Sequence, residues 1–309
     1  MGWVMCIRDR FAGGRVLSLD GPDLNVREYG ATTGDRAVVL LHGYSASIEW
    51  WEQVAPALAA GNRVVAIDLV GHGGSEATGD DSDYTATGQA TAVLRALDAL
   101  GIRQAAFVAH SMGGHITTAI AERSPDLVER VAVIDTAGGP GLIDLPVLGQ
   151  IGCWPVLGAV ADRLRGIDAL TEGSLRTGFA DDFPVPASAH RSLEQLTHRG
   201  VCKSTAVDDM NKERPIADRL AGTGKPVLVV SGGRDVLVPT AANVEQYTRA
   251  GLPPRLIAES GHSPLLERPD ELIGLVGAFV NRLRGAQVRG ETRSVRAAGS
   301  VVGGPGTLW

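Results

Sequence analysis

Residues 104–123 read Gln-Ala-Ala-Phe-Val-Ala-His-Ser-Met-Gly-Gly-His-Ile-Thr-Thr-Ala-Ile-Ala-Glu-Arg. The run Ala105–Ala109 is small and apolar and predicts a strand, and the run that ends near Arg123 predicts a helix. Ser111 stands directly between them, among small residues. The stretch therefore predicts a sharp strand-to-helix turn with Ser111 at the turn.

Strands and helices alternate on both sides of this turn. Ala37–Leu41 is a continuous apolar run, as expected of a parallel strand that is covered on both faces. The other elements predicted before position 136 are strands at Val16–Leu19, Leu24–Tyr29, Arg63–Ile67 and Val128–Ile134, and helices at about 49–59 and 85–100. This order predicts a parallel sheet with right-handed crossovers and helices on both faces.

The alternation breaks at Thr136. Residues 138–222 contain helix-like stretches and no convincing strand, and the pattern then resumes with strands at Val227–Ser231 and Arg255–Ala258 and helices from Thr240 and at Pro269–Leu283. We therefore expect a core of residues 15–137 and 223–285 with a helical insertion of residues 138–222 laid over the sheet. Residues 1–14 form a predicted N-terminal extension, and residues 286–309 a predicted disordered tail.

The composition narrows the class of protein. The chain has 309 residues and a formal net charge of −6, which argues against nucleic acid as a partner because nucleic acid selects a basic face. No apolar run approaches the ~20 residues that a membrane helix needs, so we expect no stable membrane insertion. The N-terminus carries Arg8, Asp9 and Arg10 instead of an apolar signal stretch, which predicts a cytoplasmic protein.

The three cysteines give no sign of a metal site. Cys6, Cys153 and Cys202 lie far apart, without metal-ligand spacing and without a Cys-x-x-Cys pair. We expect them to be buried or incidental thiols, since free cysteine is commonly buried.

One histidine follows the last predicted strand on a loop. Ligands of open α/β sheets bind beyond the carboxyl ends of the strands, so polar residues at those ends are the candidates for a site. His262, in Gly261-His262-Ser263-Pro264, can titrate near neutral pH and accept a proton from Ser111. His42 and His72 lie in tight loops and are expected to be structural hydrogen-bonding residues.

Two carboxylates compete for the role of orienting His262. Asp235 follows the strand Val227–Ser231, and Asp135 ends the strand before it. Both satisfy the chain order serine, acid, histidine, and the Ser-Gly-Gly-Arg-Asp pattern favours Asp235. An oxyanion formed at Ser111 would need main-chain donors, which we predict to be the N–H groups of Met112 and Tyr44.

Taken together, these motifs resemble the α/β-hydrolase superfamily over residues 15–284. Ser111 in Ala109-His110-Ser111-Met112-Gly113 is similar to the family's nucleophile elbow, with Ala109 replacing the first glycine. The remaining motifs of the resemblance are His42-Gly43, Trp51, the loop Asp68–Ser75, Asp235, and Gly261-His262-Ser263-Pro264 with Glu267 and Pro269. The resemblance implies a mostly parallel eight-stranded sheet and a helical lid after the sixth strand. It also implies a Ser-Asp-His triad that needs neither cofactor nor metal.

The expected activity is hydrolysis of carboxylic esters by a serine esterase or lipase-like enzyme. The apolar stretch 141–160 either forms the lid's own core or lines an acyl or aryl pocket with Leu142, Trp154 and Leu157. The second alternative favours a hydrophobic ester as the small-molecule substrate. Carbon–carbon bond hydrolysis, acyl transfer, cofactor-free perhydrolysis and ligand sensing by a receptor remain open, since one fold hosts many functions.

Overall fold

The computed structural model describes residues 14–143, 153 and 167–281. Its centre is one eight-stranded sheet in the order β1-β2-β4-β3-β5-β6-β7-β8. The strands are β1 Arg15–Leu17, β2 Leu24–Gly30, β3 Arg36–Leu41, β4 Arg63–Ile67, β5 Gln104–His110, β6 Val128–Ile134, β7 Val227–Gly232 and β8 Arg255–Ile257. The predicted extension at the N-terminus, apart from Gly14, and the predicted tail lie outside the described residues.

The sheet is mostly parallel. Only β2 runs antiparallel to its neighbours, β1 and β4, and the ladder from β4 through β3, β5, β6 and β7 to β8 is parallel throughout. Leu41 pairs with Ala109, and Ala109 pairs with Val133, so β3, β5 and β6 end at the same edge of the sheet. This arrangement confirms the predicted fold class.

Helices cover both faces of the sheet. Outside the segment between β6 and β7 they are α1 Ala55–Ala59, α2 Ala86–Ala99, α3 Met112–Arg123, α9 Thr240–Arg249, α10 Pro264–Glu267 and a last helix over residues 269–281. The strand β3 shows how completely the sheet is covered. Val39 and Leu41 pack into one buried cluster with α2 and α3, and Val38 and Leu40 pack into another with Trp51 and the last helix.

The helix predicted over residues 49–59 is wrong in its extent. The structure has a 3₁₀ turn at Ile48–Trp51 and then the short helix α1. Pro56, in the first turn of α1, has no N–H to continue a helix from the preceding turn. Burial of Trp50 and Trp51 stabilises the turn where it stands.

The described part of the segment between β6 and β7 consists of helices joined by turns and loops. Its helices are α4 Asp168–Arg176, α5 Ala187–Gln195, α6 His198–Lys203, α7 Asp209–Glu213 and α8 Ile216–Gly222. The described residues of 138–222 contain no strand, in agreement with the break in the sequence pattern. Two contacts bind α6 to the loops at the edge of the sheet: Tyr44 donates its hydroxyl to the Val201 carbonyl at 3.1 Å, and the Thr197 N–H donates to the Gly71 carbonyl at 3.0 Å.

The expectation of free thiols is wrong for two of the cysteines. Cys153 and Cys202 form a disulfide across 49 residues of sequence, with their Cα atoms 5.5 Å apart. Spacing along the chain did not reveal this pair because the two cysteines lie 49 residues apart in sequence. Disulfides are typical of oxidising compartments, so the cytoplasmic location inferred from the N-terminus stays a prediction. None of the helices in the described part of the chain has the length and apolar character needed to span a bilayer.

Candidate active site

Three polar side chains meet at the carboxyl edge of the sheet. Ser111 follows β5, Asp235 lies in the loop after β7, and His262 lies in the loop after β8. The His262 ring joins the other two: Nε2 lies 2.9 Å from the Ser111 Oγ, and Nδ1 lies 2.7 Å from the Asp235 Oδ2. Because a carboxylate only accepts, Nδ1 carries the ring proton and Nε2 accepts from the serine hydroxyl. The arrangement can move a proton from Ser111 to His262.

The backbone of Ser111 is strained. Its φ of 49° and ψ of −116° lie in a region that residues with a Cβ avoid. The helix α3 begins at the next residue and comes so close to the sheet that a Cβ at Gly113 would lie 2.6 Å from the Leu41 carbonyl oxygen. This explains why the second glycine of the motif is present. Ala109 is fully buried within β5, so its methyl group is accommodated there.

Strain is concentrated at this edge of the sheet. Among the residues that the structure describes, three other than glycine have positive φ: Ser45, Ser111 and Asp135. They follow β3, β5 and β6, which are adjacent strands. Local strain of this kind costs of order 1–3 kcal/mol per residue and persists where the surroundings hold it in place, often at functional sites.

The two predicted oxyanion donors lie on neighbouring loops. Met112 is the first residue of α3, where backbone N–H groups have no acceptor within the helix and the helix dipole favours negative charge. Tyr44 follows Gly43, and a Cβ at Gly43 would lie 3.0 Å from the Ser111 Cβ. The loop after β3 therefore passes directly beside Ser111. Whether the two N–H groups bind an oxyanion stays a prediction.

His42 holds this loop. Its Nδ1–H donates to the Gly43 carbonyl at 2.7 Å, and its Nε2 accepts from the Leu69 N–H at 3.0 Å. Burial lowers the pKa of His42 well below its ordinary value, so the ring is neutral, as these bonds require. The structural role expected for His42 matches these contacts.

Glu267 organises the loop that carries His262. Its buried carboxylate accepts from three backbone N–H groups, those of Gly261 at 2.9 Å, Ser263 at 3.0 Å and Ala180 at 2.9 Å. The Ala180 N–H belongs to the segment between β6 and β7, so the Glu267 carboxylate links the His262 loop to that segment. From the sequence, Glu267 was predicted only as part of a motif, without a role of its own.

Asp135, the rival acid, lies beside the site but does not take the position next to His262. Its Oδ1 accepts from the Gly232 N–H at 2.7 Å, and its Oδ2 is buried without a hydrogen-bond partner among the described residues. Burial, followed by the charge of Asp235, raises the pKa of Asp135 well above its ordinary value. The Oδ1 of Asp235 instead accepts hydrogen bonds from the N–H groups of Leu237 and Val238, at 2.9 and 3.0 Å. Its Oδ2 accepts one from His262.

The same residues are the one group in the described part of the chain whose spacing could suit a metal ion. One ligand atom from each of Asp135, Asp235 and His262 lies within 4.8 Å of the others. The 2.7 Å between His262 and Asp235 is a hydrogen-bond length, shorter than two ligands of one zinc ion leave between them at about 2.0–2.1 Å from the metal each. The distance between His262 and Asp235 therefore fits a hydrogen bond better than a bound metal ion.

Aromatic rings surround the site on the side of the inserted helices. Trp50 lies with its ring centre 5.8 Å from that of His110 and 6.0 Å from that of Phe179, and Phe179 stacks on Phe183 at 5.8 Å. The His110 ring in turn lies 5.1 Å from His262. Of the pocket residues predicted from the sequence, Leu142 is half-buried, and Trp154 and Leu157 lie outside the described residues. The contact between Trp50 and Phe179 was not predicted from the sequence.

The fold and the site define a class of α/β protein with a serine at a strained strand-to-helix turn and a histidine and an acid on the neighbouring strand ends. The model of the alpha/beta hydrolase family matches residues 38–275, which is most of the sheet and the whole inserted segment. The chain belongs to this family.

The relatives of this chain carry names that describe different activities. The chain is 28% identical to the dihydrolipoyllysine-residue acetyltransferase component of the acetoin cleaving system of Pseudomonas putida, over 81% of this chain, and it spans 64% of the length of that relative. It is 26% identical to the 2-hydroxymuconate semialdehyde hydrolase of Pseudomonas sp. strain CF600, over 86% of this chain and 93% of that protein.

A solved structure supports the same assignment. The enol-lactonase from Burkholderia xenovorans LB400 is 26% identical to this chain and superposes with a TM-score of 0.72, over 87% of this chain and 100% of the other. This likeness extends over the sheet and the inserted segment together.

Proposed function

We propose that the protein is a serine hydrolase that cleaves carboxylic esters through an acyl-enzyme. The observation that carries the proposal is the position of His262, which hydrogen-bonds to the Ser111 Oγ at 2.9 Å and to the Asp235 Oδ2 at 2.7 Å. Hydrogen-bond contact from nucleophile to base and from base to orienting acid is what nucleophilic catalysis by serine requires.

The proposed reaction has two halves. His262 removes the hydroxyl proton of Ser111 as the oxygen attacks the ester carbonyl, and it then gives that proton to the departing alcohol. Asp235 stays ionised, keeps Nδ1 protonated and stabilises the imidazolium while it exists. In the second half, water attacks the acyl-enzyme with His262 again as the base, and Ser111 recovers its proton when the acid departs. No cofactor or metal takes part in the proposed steps.

The negative oxygen that forms in both halves needs fixed donors. We assign this role to the N–H groups of Met112 and Tyr44, on the helix that starts beside Ser111 and on the loop that passes Gly43. Donors of this kind are typically worth about 10²–10³ in rate each, because they face the charge only as it develops.

A hydrophobic ester fits the surroundings best. The Trp50 ring contacts the rings of His110 and Phe179, and the His110 ring contacts that of His262. Small-molecule pockets are mostly apolar with a few polar groups. We further propose that the segment 138–222 is a lid over the site and that Leu142 contributes to the substrate pocket. The enol-lactonase relative is named for a cyclic ester, which is consistent with ester chemistry at a site of this kind.

Carbon–carbon bond hydrolysis is the second candidate. It is favoured by the relative named 2-hydroxymuconate semialdehyde hydrolase, which matches over 86% of this chain. Both reactions would use the same serine, so the two candidates are separated by substrate. A panel of p-nitrophenyl and aryl esters and lactones is assayed beside a panel of ring-cleavage diketones, and turnover of the second panel alone would displace the ester proposal.

The nucleophile is tested directly with a fluorophosphonate, which modifies activated serines. We expect one adduct, on the peptide that contains Ser111, and loss of both labelling and ester turnover in Ser111→Ala. Ser124→Ala, at the other end of α3, is the matched control and should label as the natural enzyme does. Ester turnover that survives in Ser111→Ala would remove the proposed mechanism.

A further inference from the structure

Asp135 is an unexplained carboxyl group at the centre of the molecule. It is 1% exposed, it has positive φ at the end of β6, and the proposed reaction does not use it. A carboxyl oxygen of Asp135 lies within 4.8 Å of one from Asp235 and of a ring nitrogen of His262. A buried ionisable group so close to the proposed acid affects the charge of the whole site.

The contacts of the two aspartates are unequal. Both oxygens of Asp235 accept hydrogen bonds, from two backbone N–H groups and from His262. Asp135 accepts one, from the Gly232 N–H, and its Oδ2 has no donor among the described residues although it is buried. A buried acceptor without a donor costs about 1–3 kcal/mol, and more when it is charged. The same oxygen needs no donor if it carries a hydrogen of its own.

We propose that Asp135 is a neutral carboxylic acid that donates a hydrogen bond from Oδ2 to the carboxylate of Asp235 and so holds that carboxylate toward His262. Two ionised carboxylates cannot readily share a buried site, because like charges in low dielectric repel strongly. One proton on the pair removes the repulsion, supplies a donor for Asp235 and satisfies the orphaned oxygen of Asp135. Asp135 is thus a positioning residue, since it acts through Asp235.

The other groups around Asp135 agree with a neutral side chain. Glu267, on α10, and Asp235, on the loop after β7, are both acidic and disfavour another negative charge. Tyr247, on α9, has a fully buried hydroxyl and a pKa raised by burial and by Asp135, so it is also neutral. His262 hydrogen-bonds to Asp235 and Ser111. None of these described groups is a lysine or arginine that would stabilise a second carboxylate.

The Asp135→Asn variant distinguishes a neutral Asp135 from an ionised one. An amide has the same shape, accepts from Gly232 and donates to Asp235, so we expect kcat within about threefold of the natural enzyme. The decisive readout is the acid limb of kcat/KM, which reports the pKa of His262 in the free enzyme. If Asp135 is neutral, the substitution leaves the acid limb at the same pH. If Asp135 is ionised, removal of its negative charge about 5 Å from His262 would move the acid limb to lower pH by more than one unit.

Asp135→Ala tests whether the hydrogen bond matters. Without the donor, we expect kcat to fall about tenfold or more with KM changed less than about threefold, and Asp135→Asn to restore it. Unchanged kcat in folded Asp135→Ala, a shifted acid limb in Asp135→Asn, or a loss of about 10³ or more in Asp135→Asn would each overturn the proposal. The last result would make Asp135 itself the orienting acid.

Infrared spectroscopy gives a readout that needs neither a folded alanine variant nor turnover. A neutral carboxylic acid has a C=O stretch separate from carboxylate bands, and a difference spectrum between the natural enzyme and Asp135→Asn should contain it near neutral pH. Absence of the band would contradict the proposal. The inference about catalysis rests on the proposed function, yet the two can fail separately. Ser111 without fluorophosphonate labelling would remove the function, whereas a labelled Ser111 without the band would remove only the role of Asp135.

Discussion

The Nε2–H of His110 donates a hydrogen bond to the backbone carbonyl of His262 at 2.8 Å. The residue that precedes Ser111 thereby holds the loop of the proposed base, 152 positions further along the chain. Burial, followed by the charge of His262, lowers the pKa of His110 to about 3, so the His110 ring is uncharged near neutral pH. A charged neighbour would disfavour the imidazolium that the reaction forms, and a neutral one does not.

His110→Ala should therefore reduce kcat more than it raises KM. The loop of His262 loses one of its anchors, and displacement of a reacting group by about 1 Å can cost 10²-fold in rate. We expect kcat to fall about 10- to 100-fold on a p-nitrophenyl ester. His110→Gln keeps an amide N–H that can reach the same carbonyl and should recover most of the loss. Equal kcat in His110→Ala and the natural enzyme would show that Glu267 alone fixes the loop.

Asp235→Asn should reduce kcat by about 10⁴, the effect of replacing the orienting acid in a triad of this type. The amide oxygen can still accept from Leu237 and Val238, so the loop should keep its shape. The amide NH₂ then faces Nδ1 of His262 and favours the wrong tautomer. Asp181→Asn, at an exposed position, serves as the control. Activity within tenfold of the natural enzyme in Asp235→Asn would contradict the assignment of the acid.

The sheet was largely predictable because its strands are short apolar runs. Such runs are typical of strands that are buried on both faces. The turn at Ser111 was predictable because close packing of α3 on the sheet demands glycine at 113. Ser111, His262 and Asp235 could be placed near one another because parallel strands end at a common edge.

The features that were missed depend on contacts between distant parts of the chain. The role of Glu267 needs Ala180, and the pair of Trp50 and Phe179 joins the turn after β3 to the inserted helices. The disulfide likewise joins two cysteines that are 49 residues apart in sequence. Periodicity reports which face of an element is apolar and says nothing about which distant loop packs against it.

Gly43→Ala should abolish most of the activity without unfolding the protein. A Cβ at this position would lie 2.8 Å from the His110 Nδ1 and 3.0 Å from the Ser111 Cβ, so the loop that presents the Tyr44 N–H must move. Loss of one oxyanion donor typically costs about 10²–10³ in kcat. Gly274→Ala, in the last helix where a Cβ meets open space, should leave kcat unchanged and stabilise the fold by about 0.5–1 kcal/mol. Full activity in Gly43→Ala would argue against an oxyanion site on this loop.

Reduction of the disulfide should destabilise the protein. Closure of a loop of 49 residues between Cys153 and Cys202 removes chain entropy from the unfolded state. On the chain-entropy model this is worth about 4 kcal/mol at 25 °C. We expect urea unfolding to shift to lower denaturant when a phosphine reductant is added. Cys202→Ser should unfold early with or without reductant. A natural protein that is insensitive to reductant would show that the bond contributes no stability.

Stability should fall when the solution is acidified below about pH 6.5. Burial lowers the pKa of His72 to about 4 and of His110 to about 3, and it lowers the pKa of His42 well below its ordinary value. The unfolded chain therefore binds these three protons first, near pH 6.5, and is favoured as pH decreases. Asp68 and Asp135 act in the opposite sense. Burial raises the pKa of Asp68 to about 6 and that of Asp135 well above its ordinary value, so the folded state holds two protons that unfolded carboxylates have lost.

The three histidines and the two aspartates act in opposite senses and leave a net difference of one proton. This difference sets the expected slope of the free energy of unfolding against pH. Between about pH 6 and pH 5 the free energy of unfolding should fall by about 1 kcal/mol, given ~1.4 kcal/mol per proton and pH unit. His72→Gln removes one titrating ring and keeps an amide N–H for the Val70 carbonyl, which His72 Nδ1 contacts at 3.1 Å. Urea unfolding of this variant should show a nearly flat dependence over the same interval. A slope equal to that of the natural protein would mean that His72 is already charged in the folded state, despite its complete burial.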